Sequence, residues 1–160
     1  MAARGHRLAL PVLAFAAACS GGSARDPGGK DVSFESVYAS AQSGVASPLR
    51  EVVRSPAQWV DVWDRIMADR SPLPPRPEVD FDRSMLLAVG LGTRPSGGYA
   101  VQIPEIAAGA GTVTATVREV APGRGCMATM ALTAPILVVR LERLDAEVAF
   151  VETREERVCD

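Results

Sequence analysis

The chain has 160 residues, with 17 basic and 19 acidic side chains and a formal net charge of −2. The basic residues are spread along the sequence without a block, which does not fit a nucleic-acid-binding protein. The single histidine, His6, lies in a segment that we expect to be removed, so the mature chain lacks the base of a serine–histidine pair and the ligand of a histidine zinc site. Because no glycine-rich nucleotide-binding motif occurs either, the sequence indicates a non-enzymatic protein without cofactor or metal.

The N-terminal residues 1–18 have the features of an export signal. Arg4 and Arg7 precede an uncharged apolar run that is much shorter than the ~20 residues a membrane-spanning helix needs. The run ends in Ala-Ala-Ala-Cys at 16–19, which resembles the signal of a bacterial lipoprotein and implies that Cys19 is lipidated. The alternative is an ordinary secretion signal cut near the alanines. Both predict an extracytoplasmic protein. Lipidation adds a membrane anchor, in the outer membrane facing the periplasm if the cell has two membranes.

The rest of the chain predicts a tether followed by one domain. Residues 19–30 are small, polar and glycine-rich, so we expect them to be flexible. Residues 31–160 are enough for a single domain with its own core. They show no internal repeat and no boundary to a second domain.

The first part of this domain predicts two short strands and one helix. Residues 32–39 and 51–54 have strand patterns, and Ser55 followed by Pro56 and Gln58 has the pattern of a capped helix start. The apolar residues that follow share one helical face, which we expect to pack on a sheet. They are Trp59, Val62, Trp63, Ile66 and Met67. The proline-rich residues 71–77 exclude further helix and predict an extended surface segment.

From residue 85 onward the pattern is that of strands separated by glycine- and proline-rich breaks. The segments are 85–91, 99–103, 113–117, 136–141 and 148–151. The first is apolar on both faces, which predicts a strand covered on both sides. The predicted fold class is α+β and β-rich, an antiparallel meander or sandwich-like sheet with one amphipathic helix before the main strands.

The segment Gly92–Tyr99 is the most distinctive feature inside the domain. Pro95 and the pair Gly97-Gly98 predict a tight hairpin turn that leaves the Arg94 guanidinium pointing outward. In the alternative interpretation, the glycines serve only the backbone geometry of a turn and Tyr99 packs into the core.

The order of motifs resembles the C-terminal domain of the protease complex subunit PrcB family. The tryptophan-containing helix is followed by Val79-Asp80-Phe81, by LGTRPSGGYAVQI at 91–103, by a Pro-Gly-Arg-Gly-Cys turn at 122–126 and by an apolar strand after Pro135. The likeness extends over residues 50–151. It implies a β-rich domain that binds or stabilises an exported partner protein, such as a protease. The residues carried over as the partner-binding surface are Arg94, Pro95, Ser96, Gly97, Gly98 and Tyr99. Ser96 stands where threonine is expected more often, and it keeps a hydroxyl.

Two other functions fit parts of the sequence. The Arg-Pro-Ser-Gly-Gly-Tyr segment, 94–99, has a looser likeness to the inhibitory loop of chagasin-type inhibitors of cysteine proteases, but it lacks their asparagine. A module that binds a small ligand or the cell wall is the other alternative, and it would need a concave pocket.

Two cysteines remain in the domain. Cys126 and Cys159 can form a disulfide in an oxidising compartment. The alternative is a buried free thiol at Cys126 and a frayed end at Cys159.

Overall fold

The computed structural model describes residues 29–159, which form one α-helix and eight β-strands. In chain order these are β1 (Lys30–Asp31), β2 (Phe34–Ser40), β3 (Leu49–Val53), α1 (Pro56–Ile66), β4 (Ser84–Gly90), β5 (Ala100–Gly109), β6 (Thr112–Pro122), β7 (Ile136–Glu142) and β8 (Glu147–Arg157). The export signal 1–18, Cys19 and most of the tether predicted from the sequence lie outside the described residues.

The strands form two four-stranded sheets. An outer sheet has the order β1-β5-β6-β8, and a central sheet has the order β2-β7-β4-β3. Neighbouring strands are antiparallel except β6 and β8, which run parallel. The predicted α+β, β-rich class is confirmed in its sandwich-like form. A single meander does not form, because β7 lies in the central sheet and the chain returns to the outer sheet only at β8.

The main core lies between the two sheets. Alternate residues of β6, Val113, Ala115 and Val117, face inward from the outer sheet and pack in one cluster with Leu87 and Val89 of β4. The intervening threonines of β6 are only half-buried. This is the period of two that the sequence pattern predicted.

A second core lies between the central sheet and the helix. Leu86 and Ala88 of β4 point to this side, so β4 is buried on both faces, as its continuous apolar sequence predicted. All five apolar residues of the predicted helical face are buried here. The indole N–H of Trp59 donates to the Pro77 carbonyl at 2.9 Å, which attaches the proline-rich segment to the helix.

The helix begins where its capping residues predicted. The Ser55 hydroxyl accepts a hydrogen bond from the Gln58 N–H at 3.3 Å, and Pro56 occupies the first turn. The Gln58 side chain accepts from the N–H of Arg54 at 2.8 Å, one residue before the usual partner of a capping box. Two side-chain hydrogen bonds therefore cap the start of the helix.

Two sequence-based expectations differ from the structure. Gly92–Tyr99 is not a hairpin turn, because it joins β4 of the central sheet to β5 of the outer sheet. The last strand continues to Arg157, well past Val151. Its charged residues stay in the strand because β6 pairs with it and because Glu152 accepts two hydrogen bonds from Arg50 of β3, at 2.7 and 2.9 Å.

Candidate functional site

The residues singled out by the sequence lie in loops at one end of the sandwich. Here the end of β4, the start of β7 and the end of β2 are neighbours in the central sheet, and the ends of β6 and β8 pair in the outer sheet. We call residues 91–99 the crossover loop and residues 123–135 the β6–β7 loop. Together with Val158 and Cys159 they make up the loop cluster.

The Arg94 side chain is turned into this cluster, and its predicted outward orientation is wrong. Its guanidinium donates to the Glu119 carboxylate at 2.9 Å, and the two side chains are only 23% and 19% exposed. The same guanidinium lies 5.9 Å from the centre of the Tyr99 ring. In the alternation of β6, Glu119 follows the inward-facing residues Val113, Ala115 and Val117. Its side chain therefore points inward, and the ion pair with Arg94 lies at the end of the main core. The Glu119 carboxylate therefore already pairs with the charge of Arg94 in the absence of a partner protein.

The backbones of the two loops are hydrogen-bonded to each other. Arg94 and Thr133 exchange two bonds, at 2.7 Å from the Arg94 N–H and 3.0 Å from the Thr133 N–H. The Thr133 hydroxyl donates to the Ser96 carbonyl at 2.8 Å, and the Gly97 N–H donates to the Thr129 carbonyl at 2.8 Å. A Cβ atom at Gly97 would collide with the Thr129 hydroxyl, so the glycine permits this close approach.

The remaining predicted residues of the crossover loop differ in exposure. Pro95 and Gly98 are exposed, and Tyr99 is half-buried against the main core. Gly98 has φ +84°, which accounts for glycine there, and its missing Cβ would lie 3.1 Å from Pro122. The surface formed by the six predicted residues is therefore discontinuous. Pro95 and Gly98 face solvent, while Arg94, Ser96 and Gly97 hold the β6–β7 loop.

A disulfide fixes the other side of the β6–β7 loop. Cys126 and Cys159 are bonded, with their Cα atoms 5.1 Å apart. Of the two alternatives left by the sequence, the structure has the paired one. The Gly123 N–H also donates to the Arg157 carbonyl at 3.2 Å, so the start of this loop and the end of β8 are joined twice.

The β6–β7 loop presents apolar side chains that sequence reasoning missed. Met127 and Met130 are fully exposed, and Leu132 and Val158 are largely exposed. Six large apolar residues are exposed in residues 29–159, and these four belong to the loop cluster. The sequence signal was present, because residues 123–135 contain one charged residue, Arg124, and have neither strand nor helix periodicity. Exposed apolar residues grouped at one place mark contact sites more often than scattered ones do.

Among residues 29–159, no group of three or more His, Cys, Asp or Glu side chains is placed to hold a metal ion. In the same range no helix is long and apolar enough to cross a membrane. Away from the cluster, a hydrogen bond to Glu51 raises the pKa of the Arg65 guanidinium, which is charged at neutral pH in any case.

The crossover loop and the β6–β7 loop both lie within a segment shared with other proteins. Residues 85–142 match the PrcB C-terminal family. The match runs from β4 to β7 and confirms the resemblance read from the sequence motifs. No curated protein and no solved structure matches the chain.

Proposed function

We propose that this protein is a lipid-anchored, non-enzymatic accessory subunit that binds an exported protease or a protein of its complex through the loop cluster. The observation that carries the proposal is the family match, because residues 85–142 contain both loops of the cluster. The anchor is the lipid that we infer on Cys19, in an extracytoplasmic membrane, the outer membrane in a cell that has two.

The packing of the cluster supports a binding role. A disulfide, the Arg94–Thr133 backbone pair and the Gly97–Thr129 contact hold the β6–β7 loop in one conformation. A loop that is already ordered loses less entropy on binding than a flexible one. Its exposed methionines and leucine are side chains suited to a protein contact, and methionine adapts to irregular apolar surfaces.

The two alternative functions have less support. An inhibitory loop of the chagasin type has to enter an enzyme cleft, whereas Ser96 and Gly97 are hydrogen-bonded to the neighbouring loop. A small-ligand module needs a concave site with converging polar groups. The depression beside Tyr99 is lined mainly by alanine, valine, proline and isoleucine, with Ser40 as its other polar residue. A larger depression contains Arg50, Glu51 and Arg65, but these charged groups are already paired, Arg65 with Glu51 at 2.6 Å and Arg50 with Glu152 at 2.7 Å.

The proposal is tested by isolating the protein from its native membranes after mild crosslinking and identifying what is bound. We expect an exported protease or a subunit of its complex. The Leu132→Asp variant should reduce this capture by about tenfold or more, because a charge in the middle of an apolar contact is costly. Leu73→Asp is the matched control, since both leucines are similarly exposed, 68% and 62%, and Leu73 lies in the proline-rich segment. Equal capture by the wild type and both variants would contradict the site.

The anchor is tested separately. Cys19→Ser should move the protein from the membrane fraction to the soluble fraction and abolish labelling by a radioactive fatty acid, because the acyl chains supply the membrane affinity. A wild-type protein that is already soluble would contradict the anchor and leave the binding role open.

A further inference from the structure

The methionines of the described residues fall into two extreme classes. Met127 and Met130, in the β6–β7 loop, are 102% and 94% exposed, whereas Met67 and Met85 are 0% exposed. A thioether is oxidised to a sulfoxide by peroxides and hypohalous acids, and access to the sulfur governs how readily this happens. Residues 29–159 therefore contain two reactive methionines and two protected ones.

The cysteines and tryptophans of the described residues are not available to a dissolved oxidant. Cys126 and Cys159 are joined to each other, so neither offers a thiol. Trp59 and Trp63 are buried between the helix and the central sheet. Within residues 29–159, sulfur and indole chemistry with an external oxidant is thus concentrated on Met127 and Met130.

We propose that Met127 and Met130 form a reversible oxidation site that converts the surface of the loop cluster from apolar to polar. With hydrogen peroxide, the thioether sulfur attacks one peroxide oxygen, the O–O bond breaks and an S–O bond forms. The departing hydroxide takes the proton of the transferred hydroxyl. The sulfur loses two electrons, and the peroxide is reduced to one water and the sulfoxide oxygen. Methionine sulfoxide reductases, which draw their electrons from thiols, reverse the change.

The fold tolerates this reaction because the loop is not held by its methionine side chains. The Cys126–Cys159 bond and the Gly97–Thr129 hydrogen bond fix its backbone, and neither exposed methionine belongs to a core cluster. A sulfoxide at Met67 or Met85 would instead place an unpaired polar oxygen inside a core. Oxidation at the loop therefore changes the surface and leaves the structure intact.

The change affects the same surface to which we assigned partner binding. Two of the four exposed apolar side chains of the cluster become polar and hydrogen-bonding, while Leu132 and Val158 stay apolar. If the proposed function holds, the oxidised protein binds its partner more weakly and reduction restores binding. The oxidation itself does not depend on that function.

The experiment treats the purified full chain, with its disulfide formed, with hydrogen peroxide and follows each methionine by mass spectrometry. After quenching, reduction and trypsin digestion, Met67, Met85 and the loop pair fall in separate peptides that begin at Ile66, Ser84 and Gly125. The Gly125 peptide should gain two oxygen atoms at least about a hundredfold faster than the other two gain one, because a buried side chain reacts only through rare opening. The melting temperature should stay unchanged, and retention on a hydrophobic-interaction column should fall.

The variant Met127→Leu/Met130→Leu is the matched control, because leucine keeps the apolar surface and cannot be oxidised. Its retention should not respond to peroxide, and that of the oxidised wild type should recover after treatment with methionine sulfoxide reductases. Comparable oxidation of Met67 or Met85, unfolding of the oxidised protein, or an unchanged retention would each overturn the proposal. Leu132→Asp tests the proposed function without any oxidant, so a failure of partner binding is distinguished from a failure of the oxidation site.

Discussion

At the scale of single residues, Arg94 shows most clearly the difference between the predicted binding role and the role seen in the structure. A family motif places this arginine in a short glycine-rich loop, yet its guanidinium pairs with Glu119 at 2.9 Å and lies over Tyr99. Its role in the structure is to close the end of the main core. The motif Arg-Pro-Ser-Gly-Gly-Tyr therefore includes residues that the fold requires, and those residues cannot be read directly as a binding surface.

Loss of the Arg94 side chain should destabilise the protein. We expect Arg94→Ala to lower the free energy of unfolding by about 1–3 kcal/mol, because it leaves the half-buried Glu119 carboxylate without its partner. In a double-mutant cycle with Glu119→Ala, the coupling energy should be about 1 kcal/mol or more. The measurement is urea unfolding of the wild type, both single variants and the double variant.

Arg83→Ala serves as the control for this cycle. Arg83 is 88% exposed and lies 3.9 Å from Asp80, so its loss should change stability by less than about 0.5 kcal/mol. Additive effects of Arg94→Ala and Glu119→Ala would show that the pair does not stabilise the end of the core.

At the scale of elements, local sequence patterns located the helix and most strands correctly. The helix is determined by adjacent residues, Ser55 to Gln58 and the apolar face that follows, so its start and buried side could be read from the sequence. The pairing of strands depends on contacts between residues far apart in the chain. The parallel pairing of β6 with β8 could not be read for this reason, and neither could Glu119 and Thr133 as partners of the crossover loop.

The N-terminal cap of the helix gives a prediction at this scale. Ser55→Ala should lower the free energy of unfolding by about 1 kcal/mol, because the Gln58 N–H loses its side-chain acceptor in the first turn of the helix. Ser55→Asp should keep most of the stability, since aspartate also caps helices well. Thermal and urea unfolding measure both. If alanine and aspartate destabilise the protein equally, the hydroxyl does not act as a cap.

At the scale of the whole molecule, the protein is a stack of three layers with its loops gathered at one end. The outer sheet covers one face of the central sheet, and the helix covers the other. This arrangement buries both faces of β4, while the outward residues of the outer sheet are half-buried in β6 and exposed in β8. The sequence predicted the apolar runs that make the layers. It did not reveal that the crossover loop and the β6–β7 loop meet, because that contact follows from the order of strands in two sheets.

The disulfide joins Cys126 of the β6–β7 loop to Cys159 after β8, and it should contribute to the stability of the whole domain. The two cysteines are 33 residues apart, and for a loop of this length the lost entropy of the unfolded chain corresponds to about 3–4 kcal/mol. Cys126→Ser/Cys159→Ser should lower the free energy of unfolding by an amount approaching this value. Reduction of the wild type should have a similar effect, and the double variant should not respond to the reductant.

The bond also fixes the β6–β7 loop against the end of β8. The double variant should therefore show faster amide hydrogen exchange at residues 123–132 than in the helix. Equal stability of the wild type and the double variant in non-reducing buffer would contradict this role of the disulfide.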